Sequence, residues 1–75
     1  MNEGDVREYL IENDQEFRRL AEEHQGYEVQ LQELQNRHYL SNEEQLEETM
    51  LKKKKLALKD QMQLLIHRYQ TEQSV

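Results

Sequence analysis

Apolar residues recur along the first half of the chain at alternating spacings of three and four. The members are Leu10, Phe17, Leu20, Tyr27, Leu31 and Leu34, with Asn13 and His24 as polar members of the same series. This spacing keeps side chains on one side of an α-helix. Most of the residues between them are glutamate, glutamine, leucine, lysine or arginine, which favour helix. High charge alone is typical of disorder, but this periodicity predicts an amphipathic helix.

Capping signals predict that a break divides this first half. The acid-rich turn after Gly4 predicts a short helix over about residues 5–12. Asn13-Asp14 then offers an N-cap, and Asn13 and Glu16 have the spacing of a capping box. A long helix is therefore predicted over residues 14–37, with a kink or break where it follows the short one.

A stronger capping signal starts the second half of the chain. The heptad series ends around residues 36–40, and Ser41 followed three residues later by Glu44 is a full capping box. We take Ser41 and Glu44 as the helix cap. A second long helix is predicted from residue 41 to about residue 69, and residues 70–75 are expected to form a frayed tail.

The short connection between the long helices predicts an antiparallel hairpin, because helices joined by about five residues lie side by side. The second helix has a seam of its own. If the turn is centred near Tyr39 and Leu40, facing residues of the two helices have numbers that sum to about 79. This register places His24 and Lys55 at the same level. The predicted hairpin seam consists of Phe17, Leu20, His24, Tyr27, Leu31, Leu34, Leu51, Lys55, Leu58, Met62, Leu65 and Tyr69.

The second helix carries a further apolar row, about a quarter to a third of a circle from its seam. We call Leu46, Met50, Ala57 and Leu64 the second row and take them as a candidate oligomer interface. One helix cannot cover both the seam and the second row, so two solutions are open. Two hairpins can pack into a helical bundle, or the short first helix can fold back and use Val6, Tyr9 and Leu10.

Composition and charge restrict the function classes. The 75 residues include no cysteine, proline or tryptophan, and 35% are hydrophobic while 35% are charged. Disulfide scaffolds, thiol catalysis and cysteine-bound metals are excluded, and no apolar run is long enough for a membrane span. Residues 1–50 carry a net −10 and residues 51–75 a net +4, which favours two halves lying side by side. Without a targeting segment, we expect the cytoplasm.

Candidate catalytic and metal-binding residues are few. His24 has no second histidine three or four residues away, and no Glu-x-x-His motif of the di-metal bundles is present. We interpret His24 as a polar seam residue that sets the register. Lys55 would lie beside it, with its amine reaching an acid such as Glu28. We expect no catalytic residues, no metal, no cofactor and no small-molecule substrate.

The lysine run at residues 52–55 has two interpretations. Consecutive helical residues point about 100° apart, so the run forms no single stripe, and we expect these lysines to face Glu22, Glu23 and Glu28 while Arg19 lies near Asp60. The alternative is an accessory protein that binds nucleic acid through the run together with Lys59 and Arg68. The overall acidity disfavours that alternative.

Two segments of the chain resemble a known family. Phe17-Arg18-Arg19-Leu20-Ala21-Glu22-Glu23-His24 and the run from Leu51 to Met62, joined through Tyr39-Leu40-Ser41, are similar to the YdcH-like family of small bacterial proteins. The similarity covers about residues 14–69, although Gly26 departs from the expected helix formers. It implies a helical hairpin that associates with copies of itself, and it brings no activity, substrate or site residues.

Together these features predict an all-α, coiled-coil-like hairpin with a short N-terminal helix, assembled into a bundle. We expect a small non-enzymatic interaction or structural protein whose partner is a second copy, with another protein as a further option. Leu56 lies off both apolar rows of the second long helix. It is either a contact for a partner, together with Lys59, or an isolated exposed leucine.

Overall fold

The structure, a computed structural model, describes residues 2–73, and this part of the chain is entirely helix and connecting segments. It contains α1 (Glu3–Asn13), α2 (Gln15–Gln35) and α3 (Asn42–Gln73), and no strand among the residues described. The all-α prediction is confirmed. None of the helices described is long and apolar enough to cross a membrane.

Each helix begins at a side chain that accepts a hydrogen bond from an otherwise unpaired backbone N–H. The Asn2 side chain accepts from the N–H of Asp5 at 2.9 Å, so α1 starts two residues earlier than predicted. The Ser41 hydroxyl accepts from the N–H of Glu44 at 3.1 Å, and the Glu44 carboxylate accepts from the N–H of Ser41 at 3.1 Å. This reciprocal pair is a capping box, and α3 follows directly.

The break between α1 and α2 lies at Asp14. The backbone of Asp14 is extended, and its carboxylate accepts from the N–H of Phe17 at 3.0 Å. The cap is therefore Asp14, the second residue of the predicted Asn13-Asp14 cap, and the capping box expected between Asn13 and Glu16 is wrong. Asn13 is still the last residue of α1, and its side-chain amide donates to the Tyr9 carbonyl, so it cannot serve the next helix.

Arg18 holds the end of α1 against the start of α2. Its guanidinium donates to the carbonyl of Ile11 at 2.8 Å and to that of Glu12 at 2.9 Å. The last carbonyls of a helix have no partner within the helix. The side chain of Arg18 therefore satisfies two of them and fixes the bend between the two helices.

The ends of the two long helices differ from the prediction. α2 ends at Gln35 rather than at residue 37, and α3 continues to Gln73, four residues past residue 69. Residues 70–73 are thus helical rather than a frayed tail, since no glycine or proline interrupts them and the Thr71 hydroxyl donates to the His67 carbonyl at 2.9 Å. Residues 74 and 75 lie outside the described residues.

Apolar side chains from all three helices meet in one cluster, and a second cluster lies near the connection. The larger cluster contains Val6, Leu10, Phe17, Leu20, Leu58, Met62 and Ile66. The smaller cluster contains Leu31, Leu34 and Leu51. The first half of α2 thus meets the second half of α3, while the end of α2 meets the first half of α3. Tyr27 packs against both clusters.

The short α1 folds back onto the longer helices, one of the two solutions that the sequence leaves open. Val6 and Leu10 are buried against α2 and α3, and the centres of the Tyr9 and Tyr69 rings lie 4.9 Å apart. α1 does not reach the second row, whose large side chains stay exposed. The helix that folds back therefore completes the core without covering the candidate interface.

Ile66 is a core residue that the predicted seam omits. It is 2% exposed, whereas the seam residue Leu65 is only partly buried. A strict heptad places residue 65 after Met62, because that pattern describes contact with one partner helix. With α1 also packed on this end of α3, the buried face widens, and Ile66, four residues after Met62, faces the core.

The central seam makes a testable stability prediction. Leu58 is 8% exposed and Leu56 is 59% exposed, two residues apart on the same helix. Leu58→Ala removes buried methyl groups and leaves a cavity, so it should lower the free energy of unfolding by about 2–5 kcal/mol. The matched change Leu56→Ala should alter it by less than about 0.5 kcal/mol. Chemical denaturation followed by circular dichroism measures both, and equal effects would contradict the packing described.

Gly26 makes a prediction of the opposite sign. It lies inside α2, and a Cβ built there has no atom within 4 Å. Gly26→Ala should raise the free energy of unfolding by about 0.5–1 kcal/mol, because alanine loses less backbone entropy in a helix. Gly4→Ala is the control, since its Cβ would meet the capping oxygen of Asn2 at 3.3 Å. A stabilisation by Gly4→Ala alone would contradict this account.

Candidate functional site

The polar members of the seam lie beside a surface depression of about 220 Å³. The residues that line it are Arg7, His24, Glu28, Lys55, Lys59, Met62 and Gln63. All three helices contribute, since Arg7 comes from α1 and His24 and Glu28 from α2. His24 and Lys55 therefore lie on one site, as the predicted register places them.

An ion pair joins α2 to α3 within this depression. The Lys55 amine lies 2.9 Å from a Glu28 carboxylate oxygen, and both side chains are about one-third exposed. The hydrogen bond from Lys55 and then its charge hold the pKa of Glu28 below the ordinary value of 4.5, against a smaller opposing effect of burial. His24 adds a weaker lowering of the same pKa. This ion pair links α2 and α3 at a polar position between the two apolar clusters.

One further polar contact joins α1 to a residue of α3 that lines the depression. The Gln63 amide donates to the Glu3 carboxylate at 2.8 Å, which ties the first turn of α1 to α3. At the same end of the molecule, burial and then the neighbouring Tyr9 raise the pKa of Tyr69. The depression thus lies where all three helices are held together.

Most other charged contacts are local rather than between helices. Arg19 pairs with Glu23 at 3.1 Å, and Lys52 pairs with Glu48 at 3.5 Å, each four residues apart on one helix. Arg19, expected to lie near Asp60, therefore pairs with a glutamate on its own helix. A partner four residues away is already in reach on the same face of the helix.

The lysine run points in several directions and largely contacts the chain itself. The Lys54 amine lies 5.8 Å from the centre of the Tyr27 ring, while Lys52 and Lys55 pair with Glu48 and Glu28. The expected contacts of Lys52–Lys54 with Glu22 and Glu23 are not among the ion pairs of residues 2–73. The run makes no continuous basic stripe, because four consecutive helical residues span nearly a full turn.

The second row is the main apolar surface on α3 that the core does not use. Leu46 is 62% exposed, Met50 is 49% exposed and Leu64 is 66% exposed, with an exposed Ala57 between them. At 100° per residue, this row lies more than a third of a turn from Leu58, Met62 and Ile66. From Leu46 to Leu64 it extends for about 27 Å at 1.5 Å per residue. The row is therefore a long, narrow strip on the outer side of α3.

The cap of α3 adds a second perturbed carboxylate. The N–H of Ser41 and then the Ser41 hydroxyl lower the pKa of Glu44, with a smaller contribution from Arg37, which pairs with the same carboxylate.

Among residues 2–73, no three histidine or acidic side chains come together as metal ligands. The chemistry of the site is thus that of caps, ion pairs and apolar contacts.

Comparison with known proteins identifies a family. The model of a family described as "Protein of unknown function (DUF465)" matches residues 17–66, two-thirds of the chain. The match begins at the buried Phe17 and ends at the buried Ile66, so it covers most of α2, the connection and most of α3. Comparison with curated proteins and with solved structures finds no significant match.

The lowered pKa values of Glu28 and Glu44 predict loss of stability in acid. Each carboxylate is easier to ionise in the folded chain than in the unfolded one, so the unfolded state binds more protons on acidification. Their stabilisation is present above about pH 4.5 and is lost as the pH falls through the lower, folded pKa values. Thermal unfolding followed between neutral and strongly acidic pH should show this decline.

Substitutions assign the decline to particular groups. Glu28→Gln and Glu44→Gln should each lower stability at neutral pH and flatten its dependence on acid. Glu22→Gln is the matched control, because Glu22 is exposed and has no ion pair within residues 2–73. If Glu22→Gln flattened the curve as much as Glu28→Gln, the ion pair with Lys55 would not be the cause.

Proposed function

We propose that this chain, which belongs to the DUF465 family that contains the YdcH-like small bacterial proteins, is a non-enzymatic helical interaction protein that associates with copies of itself. In this proposal α2 and α3 form an antiparallel, coiled-coil-like hairpin, and α1 locks its open end. The second row is the surface through which the hairpin assembles.

The hairpin arrangement is supported by the order of contacts between α2 and α3. Phe17 and Leu20 share a cluster with Leu58 and Met62, near the free ends of the two helices. Close to the connection, Leu31 and Leu34 cluster with Leu51. Residues later in α2 thus contact residues earlier in α3, which is the order that an antiparallel pair requires.

Self-association is supported chiefly by the exposure of the second row. Single exposed leucines are common on protein surfaces, but several large apolar side chains exposed on one face of a helix favour an interaction surface. Leu46, Met50 and Leu64 are each about half to two-thirds exposed. Complete burial of each would contribute roughly 1–2 kcal/mol, a large amount beside the marginal stability of a domain of this size.

A non-enzymatic role is supported by the residue types available. The chain has no cysteine, and its three histidines are at positions 24, 38 and 67, far apart in sequence. Three polar residues of the depression are engaged in structural contacts, with Lys55 on Glu28 and Gln63 on Glu3. These contacts position helices, which is the task of an assembly protein.

The nucleic-acid alternative has less support. Binding to phosphates requires lysines that are free to neutralise them along one surface. Three lysines of the run already contact Glu48, Tyr27 and Glu28, and the chain carries a net −6. We therefore propose protein rather than nucleic acid as the partner.

Two exposed leucines of α3 provide a matched test of the interface. Leu64 lies on the second row and is 66% exposed, whereas Leu56 lies off it and is 59% exposed. Leu64→Asp should weaken self-association by at least tenfold, because a charge would have to be buried in the contact. Leu56→Asp should leave the association constant within about threefold of that of the unmodified chain, since it lies outside the row.

Sedimentation equilibrium over a range of concentrations measures the association, and circular dichroism checks that both variants remain helical. Loss of association with Leu56→Asp but not with Leu64→Asp would move the interface to the side of Leu56. An unmodified chain that stays monomeric at all concentrations would overturn the proposed self-association.

A further inference from the structure

We infer that the second copy packs its α3 antiparallel to the first, about a twofold axis that passes close to Ala57. This inference rests on the proposed self-association and adds its geometry and its specificity. Three independent features of α3 carry it: the spacing of the second row, two charged residues on the same stripe, and the charge gradient along the helix.

Three of the four members of the second row are arranged symmetrically about Ala57; the fourth, Leu46, would lie level with Arg68 of the other copy. Met50 lies seven residues before Ala57 and Leu64 lies seven residues after it. When two copies of α3 run in opposite directions about this point, Met50 of each copy meets Leu64 of the other. Ala57 meets its own equivalent at the centre, where a small side chain permits close approach of the helix axes.

Two charged residues continue the stripe between the apolar members. Lys53 lies four residues before Ala57 and Asp60 lies three residues after it, both on the heptad position that Leu46 occupies. Both are exposed, and neither forms an ion pair within residues 2–73. They are the polar members of an otherwise apolar strip, and polar residues at such positions select the orientation of paired helices.

Orientation decides what these two residues meet. In an antiparallel pair about Ala57, Lys53 of each copy lies level with Asp60 of the other, on the same edge of the contact, so two opposite-charge pairs form. In a parallel pair, Lys53 lies beside Lys53 and Asp60 beside Asp60, which places like charges together. The antiparallel arrangement is therefore favoured by electrostatics at both positions.

The charges at the two ends of α3 favour the same antiparallel orientation. Residues 42–49 carry four glutamates, whereas residues 50–73 carry six lysines and arginines against two acids. Antiparallel packing brings Glu47 of one copy level with Arg68 of the other, and it also opposes the helix dipoles favourably. Parallel packing would align the two glutamate-rich ends. The surface is thus complementary to itself in one orientation only.

Charge reversal tests the pairing of Lys53 with Asp60. Lys53→Asp and Asp60→Lys should each weaken dimerisation by roughly tenfold, because each places like charges together at two symmetric sites. The double variant restores opposite charges and should return the dissociation constant to within about threefold of that of the unmodified chain. Lys52→Asp is the control, since it makes the same change in net charge on another face of α3. Loss of its exposed pair with Glu48 should have little effect on the dissociation constant.

Crosslinking tests the orientation directly, because the chain has no cysteine of its own. Met50→Cys and Leu64→Cys are made separately, mixed, and treated with a short thiol crosslinker. The antiparallel pair should give a product that joins one chain of each variant, and neither variant alone should crosslink. Parallel packing would instead crosslink each variant with itself.

The outcomes separate this inference from the proposed function. Association that is lost in Leu64→Asp, together with self-crosslinking of each cysteine variant, would overturn the antiparallel geometry and retain the proposed function. Unchanged dissociation constants in the two charge-reversal variants would overturn the pairing of Lys53 with Asp60. A chain that does not associate at all would overturn both proposals.

Discussion

Burial of Phe17 is the contact on which the rest of the structure depends. The side chain is fully buried, and it lies among residues from α1, α2 and α3. Its backbone N–H donates to the Asp14 carboxylate, so the same residue also fixes where α2 begins. The position of the break, the packing of α1 and the formation of the core therefore all depend on Phe17. Only 35% of the residues are hydrophobic, so few other side chains can take its place.

Polar contacts then hold the helices in the arrangement that this core allows. Arg18 satisfies carbonyls at the end of α1, Gln63 holds Glu3, and Lys55 pairs with Glu28. These contacts are partly or wholly exposed, and each contributes little alone. They are nevertheless spread over all three pairs of helices, so each restricts sliding or rotation that an apolar cluster would tolerate.

The outer side of α3 has a different character. The core uses one face of this 32-residue helix, and the second row lies exposed along another. The chain belongs to a family whose function is unknown. The matched residues 17–66 include most of the seam and the whole second row. α3 therefore carries apolar residues on two faces, and only one of them contributes to the core. In our proposal the core face makes the hairpin and the second row makes the assembly.

What the sequence determined by itself was local. Helix propensity, the 3-4 spacing and the capping box at Ser41 and Glu44 act within a few residues, so the all-α class and the apolar face of each long helix follow from them. The expected level of His24 and Lys55 also required the position of the connection between the helices. The second row could also be recognised, because its spacing on one helix is independent of any partner.

Only the tertiary structure decided the contacts that depend on a third helix. The return of α1 buries Val6 and Leu10 and adds Ile66 to the core, which a pattern for two helices cannot specify. The choice of Asp14 over Asn13 as the cap depends on where α1 ends, and the pairing of Arg19 with Glu23 depends on which acid its side chain reaches first. Periodicity reports the face that a helix buries, whereas packing decides how wide that face becomes and which neighbours cover it.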